Sequence, residues 1–282
     1  MIYTTYREVP GADPLLQHAI AEIVDQFDIG QSVRIKPKSL HKFGRITSLG
    51  QDTRATIATF GTGIVNETYS TTNNIDGIVC ESADADQVVT IEGHTIDISG
   101  NLTFVVQNAP ALQGQSSVQL AIPLARATRA YIANATFGSE PDNADDTIYI
   151  YAGHGSVTVT DGIPQTAAAI KLVIVSGQNQ SEKAATSFSS VDYGIVTRIY
   201  GAAQRASATA NVDIAFEVRE LGGVFRTRFE TTVRTASNGA FLIEPKPYFI
   251  IKANSDVRLV ATSSASSTNV TGGFDCFLAL AG

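Results

Sequence analysis

The chain has 282 residues, 44% of them hydrophobic, which is enough for one large domain or two ordinary domains with separate cores. Its formal net charge of −7 gives no electrostatic reason to bind a polyanion, so we expect no direct contact with nucleic acid. It has no apolar run of about 18 residues and no charged-then-apolar start, so we expect neither a membrane span nor a cleavable signal, and synthesis in the cytosol.

The first 30 residues differ in pattern from the rest of the chain. Asp13 can cap a helix, Pro14 can occupy its first position and Gly30 can end it. Between them, apolar side chains recur at helical spacing, with polar side chains opposite. This apolar stripe consists of Leu15, Leu16, Ala19, Ile20, Ile23, Val24 and Phe27. The pattern predicts an N-terminal arm, residues 1–30, with a short amphipathic helix that either closes one end of its own barrel or docks on a neighbouring subunit.

From residue 31 onwards, short runs rich in β-branched residues alternate with clusters of Gly, Asn, Asp and Ser, as in an all-β protein. The predicted strands are 33–35, 54–60, 77–80, 87–92, 102–106, 117–122, 128–137 and 147–151, and then 170–175, 194–200, 211–234, 240–243, 249–252, 257–262 and 274–281. A small, polar segment separates the two groups near residues 162–164. We therefore predict two tandem β-sandwich or jelly-roll domains, residues 31–162 and 163–282.

The clearest element is a hairpin over residues 211–234. In its first run Val212, Ile214, Phe216 and Val218 alternate with polar or small residues, and in its second run Phe225, Thr227, Phe229 and Val233 do the same. The acidic and glycine-rich turn 220–223 joins the runs. We expect one face of the hairpin to be exposed to solvent. The other face is apolar, so a second sheet must cover it.

Two further features concern the surface of the sandwiches. Charged and proline residues that keep free sheet edges from aggregating are Arg226, Arg228, Arg234, Pro245, Lys246 and Pro247. Residues 263–273 are rich in Ser, Thr, Ala and Gly, which predicts a mobile loop.

Residues that could carry chemistry form no recognisable constellation. The four histidines, His18, His41, His94 and His154, are scattered over the helix, a loop and two turns, without HxH or HExxH spacing. No GxSxG motif is present. Cys80 and Cys276 lack CxxC spacing, and Cys276 falls in an apolar alternation that predicts a core thiol. We expect no enzyme, no metal and no cofactor.

Two acidic groups leave alternatives open. The acidic loop Glu140, Asp142, Asn143, Asp145 and Asp146 has oxygen ligands of the kind calcium prefers, although not in EF-hand order, so it is either a solvated loop or a cation clamp. Glycoside cleavage would require two carboxylates from the set Glu81, Asp84, Asp86, Glu140 and Asp142 to face a common cleft.

Several short motifs occur in a characteristic order. They are Lys42-Phe43-Gly44, Asn66-Glu67-Thr68, Ser82-Ala83-Asp84-Ala85-Asp86, Val89-Thr90-Ile91-Glu92-Gly93 and the run 102–109, followed by Val218-Arg219-Glu220, Gly222-Gly223-Val224-Phe225, Pro247 and the run 254–258. In this order the chain resembles virion structural proteins of tailed phages, especially marine and cyanobacterial phages, over most of residues 40–280. One departure is Gly93-His94-Thr95, where such proteins often have Gly-Leu-Asp.

The resemblance implies a non-enzymatic particle protein. We expect a capsid decoration or cement protein located in the virion, a homo-oligomer such as a trimer, with the major capsid protein or other virion proteins as partners. The apolar stripe of the N-terminal arm would then bind the shell. The alternative is a neck, tail or fibre component that carries a host-recognition module, with residues 263–273 at its tip.

Overall fold

The computed structural model describes residues 33–59, 69–83, 87–133, 143–206, 209–235 and 239–281. The predicted N-terminal helix and its apolar stripe, Leu15, Leu16, Ile20, Ile23, Val24 and Phe27 included, lie outside these ranges. All pairings between the strands are antiparallel, and the described ranges contain no α-helix, which confirms the all-β class. The described residues contain no helix with the length and apolarity needed to cross a membrane.

The strands alternate with short turns along the whole described chain. They are β1 Val33–Leu49, β2 Arg54–Thr56, β3 Ile75–Cys80, β4 Val89–Ile96, β5 Leu102–Asn108, β6 Val118–Leu124, β7 Arg126–Ile132, β8 Ile148–Ala152, β9 Val159–Thr160, β10 Ile163–Pro164, β11 Ile170–Ile174, β12 Ala185–Ser187, β13 Asp192–Gln204, β14 Asn211–Glu220, β15 Arg226–Arg234, β16 Gly239–Ile243, β17 Phe249–Ile251, β18 Ser255–Ser263 and β19 Thr268–Ala281. A single 3-10 turn, Ala167–Ala169, precedes β11.

Strands from both ends of the described chain build the larger sandwich, which we call the terminal sandwich. One of its sheets has the order β1-β19-β13-β16, with β17 also paired to β13. The other has the order β12-β18-β14-β15, with β2 paired to β18. Large apolar side chains fill the space between them, among them Ile57, Phe216, Leu259 and Phe274, each 0% exposed. Burial of this apolar surface is the main stabilising contribution to the sandwich.

The middle of the chain builds a second sandwich, which we call the inserted sandwich. Its sheets have the orders β11-β8-β3-β6 and β5-β4-β7. Their shared core includes Ile78, Ile91, Leu124 and Ile148, all 0% exposed. The chain enters this sandwich after β2 and leaves it after β11, so the second unit is nested within the first.

Nesting differs from the predicted tandem domains 31–162 and 163–282. The strands β1 and β2 pair with β19 and β18, near the other end of the chain. Conversely, β11 follows the predicted boundary but pairs with β8 of the inserted sandwich. Such pairings between distant segments are allowed, because the entropic cost of closing a loop grows only slowly with the length of the loop. The composition of one stretch of the chain does not show which distant stretch it pairs with.

The predicted hairpin is confirmed, but one strand of it is buried on both faces. β14 and β15 pair over 211–234, and Gly222 takes the positive φ of 75° that the turn requires. On the face that was expected to be exposed to solvent, Ala215 and Glu217 are only 1% and 6% exposed. Glu217 tolerates burial because its two oxygens accept hydrogen bonds from Arg54 at 2.7 Å and Arg258 at 2.8 Å.

The prediction of a mobile loop over residues 263–273 is wrong, because β18 ends at residue 263 and β19 begins at residue 268. Val270 and Phe274 are fully buried in the core of the terminal sandwich. A side chain at Gly273 would collide with the carbonyl oxygen of Lys42 and the Tyr200 hydroxyl. The small residues therefore serve close strand packing here and not mobility.

A buried carboxylate joins the two sandwiches. Asp256 of β18 is 0% exposed and accepts hydrogen bonds from Arg126 of β7 at 2.9 and 3.2 Å. Arg219 of β14 donates to it at 2.9 and 2.7 Å, and the Ser187 hydroxyl at 2.5 Å. Burial alone would raise the pKa of Asp256, but Arg126, Ser187 and Arg219 together hold that pKa below its ordinary value. The ionised carboxylate is thus fully hydrogen-bonded.

Two aromatic rings flank this charged junction. The Arg219 guanidinium carbon lies 4.3 Å from the centroid of the Tyr69 ring and 4.9 Å from that of Phe225. Arg126 lies 5.0 Å from the Tyr69 ring, and Arg258 lies 3.9 Å from the Phe225 ring. These cation–π contacts help to hold the planar side chains of Arg126, Arg219 and Arg258 in place at the junction.

The segment 178–190, which includes strand β12 of the terminal sandwich and which we call the connector, binds both sandwiches through its backbone. Ser181 N donates to Ala130 O of β7 at 2.8 Å, on the side of the inserted sandwich. Ala184 N donates to Ile57 O at 2.9 Å, on the side of the terminal sandwich. The connector therefore acts as a shared strand-like spacer, and it satisfies backbone groups of both cores.

We expect Asp256→Asn to lower the free energy of unfolding by about 3 to 5 kcal/mol, because it leaves the buried Arg126 without a counter-charge. The matched control is Glu220→Gln, which breaks the exposed ion pair with Lys252 at 2.9 Å and should cost less than about 1 kcal/mol. Urea denaturation followed by circular dichroism measures both changes. Similar small losses in the two variants would show that the junction is not a strong contact.

Candidate functional site

A cavity of about 450 Å³ lies where the two sandwiches and the connector meet, and we call it the junction cavity. Charged and polar side chains from five elements line it: His41 and Lys42 from β1, Glu92 and His94 from β4, Thr128 and Arg129 from β7, Glu182 and Lys183 from the connector, and Asp192 from β13. Phe43, Phe104, Phe188 and Leu278 add apolar wall. His41 and Phe43 are exposed, so the cavity has a side towards solvent.

Lys42 is the most unusual residue of the junction cavity. Its register partner in β19 is the core residue Phe274, so it lies on the inner side of β1 and is only 4% exposed. Its Nζ donates to the carbonyl oxygen of Thr128 at 2.9 Å. Thr128 is the extra residue of a β-bulge between β4 and β7, so it has no cross-strand partner there. Lys42 forms no ion pair with any described carboxylate.

The protonation of Lys42 follows from this environment. Burial lowers the pKa of Lys42 to about 8, and the charge of Glu92 opposes that shift only in part. At pH 7 the ammonium is still largely protonated. A buried cation without a counter-ion is costly, which marks this position as an electrostatic anomaly.

A second buried lysine lies beside Lys42. Lys183 of the connector is 4% exposed, and its Nζ donates to Ala127 O at 2.8 Å. Its positive charge contributes to the lowered pKa of Lys42. The lining of the cavity therefore includes two buried lysine side chains that lie next to each other.

His94 contributes a polar atom that has no partner among the described residues. Its side chain is 3% exposed, its ring contacts Phe104 edge-to-face with centroids 5.4 Å apart, and its Nδ1 is buried without a hydrogen bond. Burial lowers the pKa of His94 to about 4, so the ring is neutral at pH 7. Buried polar atoms are usually satisfied, so this one requires an explanation.

Three carboxylates line the junction cavity: Glu92 and Glu182 have cationic partners, and Asp192 accepts a hydrogen bond from the Ser189 hydroxyl at 2.6 Å. Glu92 lies 3.8 Å from Arg129, measured between Oε1 and Nη1. Glu182 pairs with Arg45 at 3.2 Å and accepts a hydrogen bond from the Thr59 hydroxyl at 3.2 Å. These acidic groups therefore do not neutralise Lys42 at close range.

A larger surface depression lies between the turn of the β14–β15 hairpin and the connection from β16 to β17. We call it the basic cleft, and its volume is about 670 Å³. Arg226, Arg228 and Lys246 line it, are exposed, and form no ion pair with a described residue. The predicted edge residues Arg226, Arg228 and Arg234 do lie on the edge strand β15. Positive charge is thus concentrated on one part of an acidic protein.

Two histidine-centred groups are the nearest approach to a catalytic arrangement. His41 Nδ1 lies 2.5 Å from Asp275 Oδ1, and its Nε2 lies 3.2 Å from the Tyr200 hydroxyl, on an exposed face. His154 Nδ1 lies 2.6 Å from the Ser117 hydroxyl. No third hydrogen-bonding group orients the His154 ring within the described residues, so this pair lacks the orienting member of a triad.

The other predicted candidates are placed as follows. Cys80 and Cys276 are free and buried, which confirms the core thiol, and burial raises the pKa of Cys276 to about 12. His41 and His94 lie in β1 and β4 and not in a loop and a turn. Of the acidic candidates, 84–86 and 140–142 lie outside the described ranges. Within those ranges no three His, Cys, Asp or Glu side chains are grouped closely enough to hold a metal.

A scan against protein-family models finds no match, and a search of curated proteins finds no significant match. Among solved structures, the infectious bursal disease virus VP2 subviral particle aligns with 7% sequence identity, 95% coverage of this chain, 77% coverage of that chain and a TM-score of 0.22. The Gt strain of the same virus aligns with 5% identity, coverages of 95% and 78%, and a TM-score of 0.18. Similarities this low carry no argument about this chain's fold or function.

We expect the stability difference between wild type and Lys42→Met to depend on pH. Between pH about 8 and 10.5 the unfolded chain holds a proton on Lys42 that the folded chain lacks, so wild type gains stability relative to the variant as pH rises. The gain is on the order of 3 kcal/mol across that window. Urea denaturation at several pH values measures it, with the exposed Lys246→Met as control. A stability difference between wild type and Lys42→Met that stays constant with pH would contradict the lowered pKa of Lys42 in the folded protein.

Proposed function

We propose that the protein is a non-enzymatic structural component of a tailed-phage virion, made in the host cytoplasm, and that it decorates or cements the capsid. The observation that carries the proposal is the ordered series of motifs over residues 40–280, which resembles that class of proteins. The all-β frame of two sandwiches agrees with it, because such proteins hold a lattice by surface contact and not by chemistry.

The architecture supplies a surface suited to contact between subunits. In the sheet β1-β19-β13-β16, residues that face each other across the strands share one side. By this register Phe43, Phe277, Tyr200 and Leu242 lie on the outer side of the sheet, and Leu242 is 60% exposed. This side also carries the hydrogen-bonded pair His41 and Asp275, and such a mixture of exposed apolar and polar groups suits a contact between copies of the chain, such as a trimer, or with the major capsid protein.

Attachment to the shell is assigned to the N-terminal arm, because its sequence predicts an amphipathic helix preceding β1. We expect deletion of residues 1–29 to abolish binding to heads while circular dichroism still reports folded sandwiches. A finer test compares Ile20→Asp, on the apolar stripe, with Gln17→Asp, on the opposite side of the predicted helix. Loss of binding only in the first variant supports the assignment, and equal binding by both variants and the truncated chain defeats it.

The position on the particle is tested by imaging. We expect cryo-electron microscopy of purified virions to show density for this chain spread over the icosahedral head. Labelling an engineered surface cysteine with gold confirms which density belongs to the chain. Density confined to a vertex, neck or tail would reject the decoration role.

The basic cleft favours a second candidate, a neck, tail or fibre component that recognises the host. Arg226, Arg228 and Lys246 could bind an acidic receptor or glycan, because they are exposed cations without an ion-pair partner among the described residues. The tip loop first considered for this role is strand β19 in its larger part, so the cleft replaces it as the candidate contact. Binding of host cells that is lost in Arg228→Glu but kept in Arg234→Glu would support this candidate.

A further inference from the structure

We propose that the junction cavity binds a small molecule with an oxyanion head, a carboxylate or a phosphate, between Lys42 and Lys183. This proposal does not depend on the proposed virion role, although Phe43 belongs both to the cavity wall and to the sheet side proposed for subunit contact. Its ligand is defined by the charges and by the polar atom that the cavity presents.

Lys42 has hydrogen-bonding capacity that the protein does not use. An ammonium carries three N–H groups, and Lys42 uses one of them on the neutral carbonyl of Thr128. The side chain is 4% exposed, so bulk water does not solvate the remaining two fully. An oxyanion would accept from them and would also supply the missing negative charge.

The ring of His94 adds a second polar group to the same cavity. His94 lines the cavity with an unpartnered, buried Nδ1, and its ring is held against Phe104. A neutral imidazole with the proton on Nδ1 donates to an oxygen, and the other tautomer accepts from a hydroxyl. Either tautomer completes a polar site that the protein alone leaves incomplete.

The volume of the junction cavity also suits a small molecule. A volume of about 450 Å³ falls within the range of small-molecule pockets, which run from about 300 to 1,000 Å³, and exceeds what a bare ion needs. The apolar walls Phe104, Phe188 and Leu278 can cover the body of a small organic acid or phosphomonoester while its head meets the lysines. A ligand with an anionic head and a short apolar body therefore fits the cavity better than a free inorganic ion.

The experiment uses the purified full chain and three probes: inorganic phosphate, benzoate and phenyl phosphate. Isothermal titration calorimetry compares wild type, Lys42→Met and Lys246→Met, the last removing a cation of the basic cleft, the other place where an anion could bind. We expect at least one aromatic probe to bind wild type more tightly than inorganic phosphate does. Lys42→Met should weaken that binding about tenfold or more, and Lys246→Met by less than about twofold.

Three outcomes would overturn the proposal. They are no binding of any probe to wild type, binding that Lys246→Met removes and Lys42→Met leaves intact, and binding of inorganic phosphate as tight as that of both aromatic probes. In case Lys42→Met does not fold, nuclear magnetic resonance of the His94 ring nitrogens in wild type gives an independent readout. A probe in the cavity shifts those resonances, and binding that leaves them unmoved counts against the site.

Discussion

The ionised Asp256, held between Arg126 and Arg219 without contact to water, is the contact on which the arrangement of the two sandwiches depends. Each arginine comes from a different sandwich, so neither sandwich alone satisfies the carboxylate. A buried ion pair adds little stability compared with apolar packing, but it strongly disfavours any arrangement that leaves one partner alone. The junction therefore specifies the relative position of the two units, and the connector's backbone hydrogen bonds reinforce it.

The junction also sets the chemistry of the neighbouring cavity. The charges of Asp256 and Arg126 both act on His94, in opposite directions, so the two sites share one electrostatic field. The ammonium of Lys42, by contrast, forms no ion pair with a described carboxylate, and Glu92 offsets the effect of its burial only in part. The fold thus combines a buried carboxylate that is fully hydrogen-bonded, Asp256, with a cavity in which Lys42 and the Nδ1 of His94 have hydrogen-bonding capacity left for a ligand.

The local sequence pattern was sufficient to predict the hairpin, most strand positions and the burial of Cys276. Each of these features depends on the alternation of apolar and polar residues within a short stretch. The local sequence pattern was insufficient to predict that one sandwich is nested within the other. The pairing of β1 with β19 joins distant segments, and their sequence patterns resemble those of the other strands. The buried charges gave no usable signal either. Asp256 and Arg126 look like surface residues in the sequence, and their burial follows from partners more than a hundred positions apart. Lys42 stood within a recognised motif, yet nothing there indicated a buried ammonium.

We infer that the junction makes the two nested sandwiches one cooperative unfolding unit. Differential scanning calorimetry of the full chain tests this most directly. We expect a single transition whose calorimetric and van't Hoff enthalpies agree. Two separated transitions, or a calorimetric enthalpy well above the van't Hoff value, would show that the sandwiches unfold independently and would contradict it.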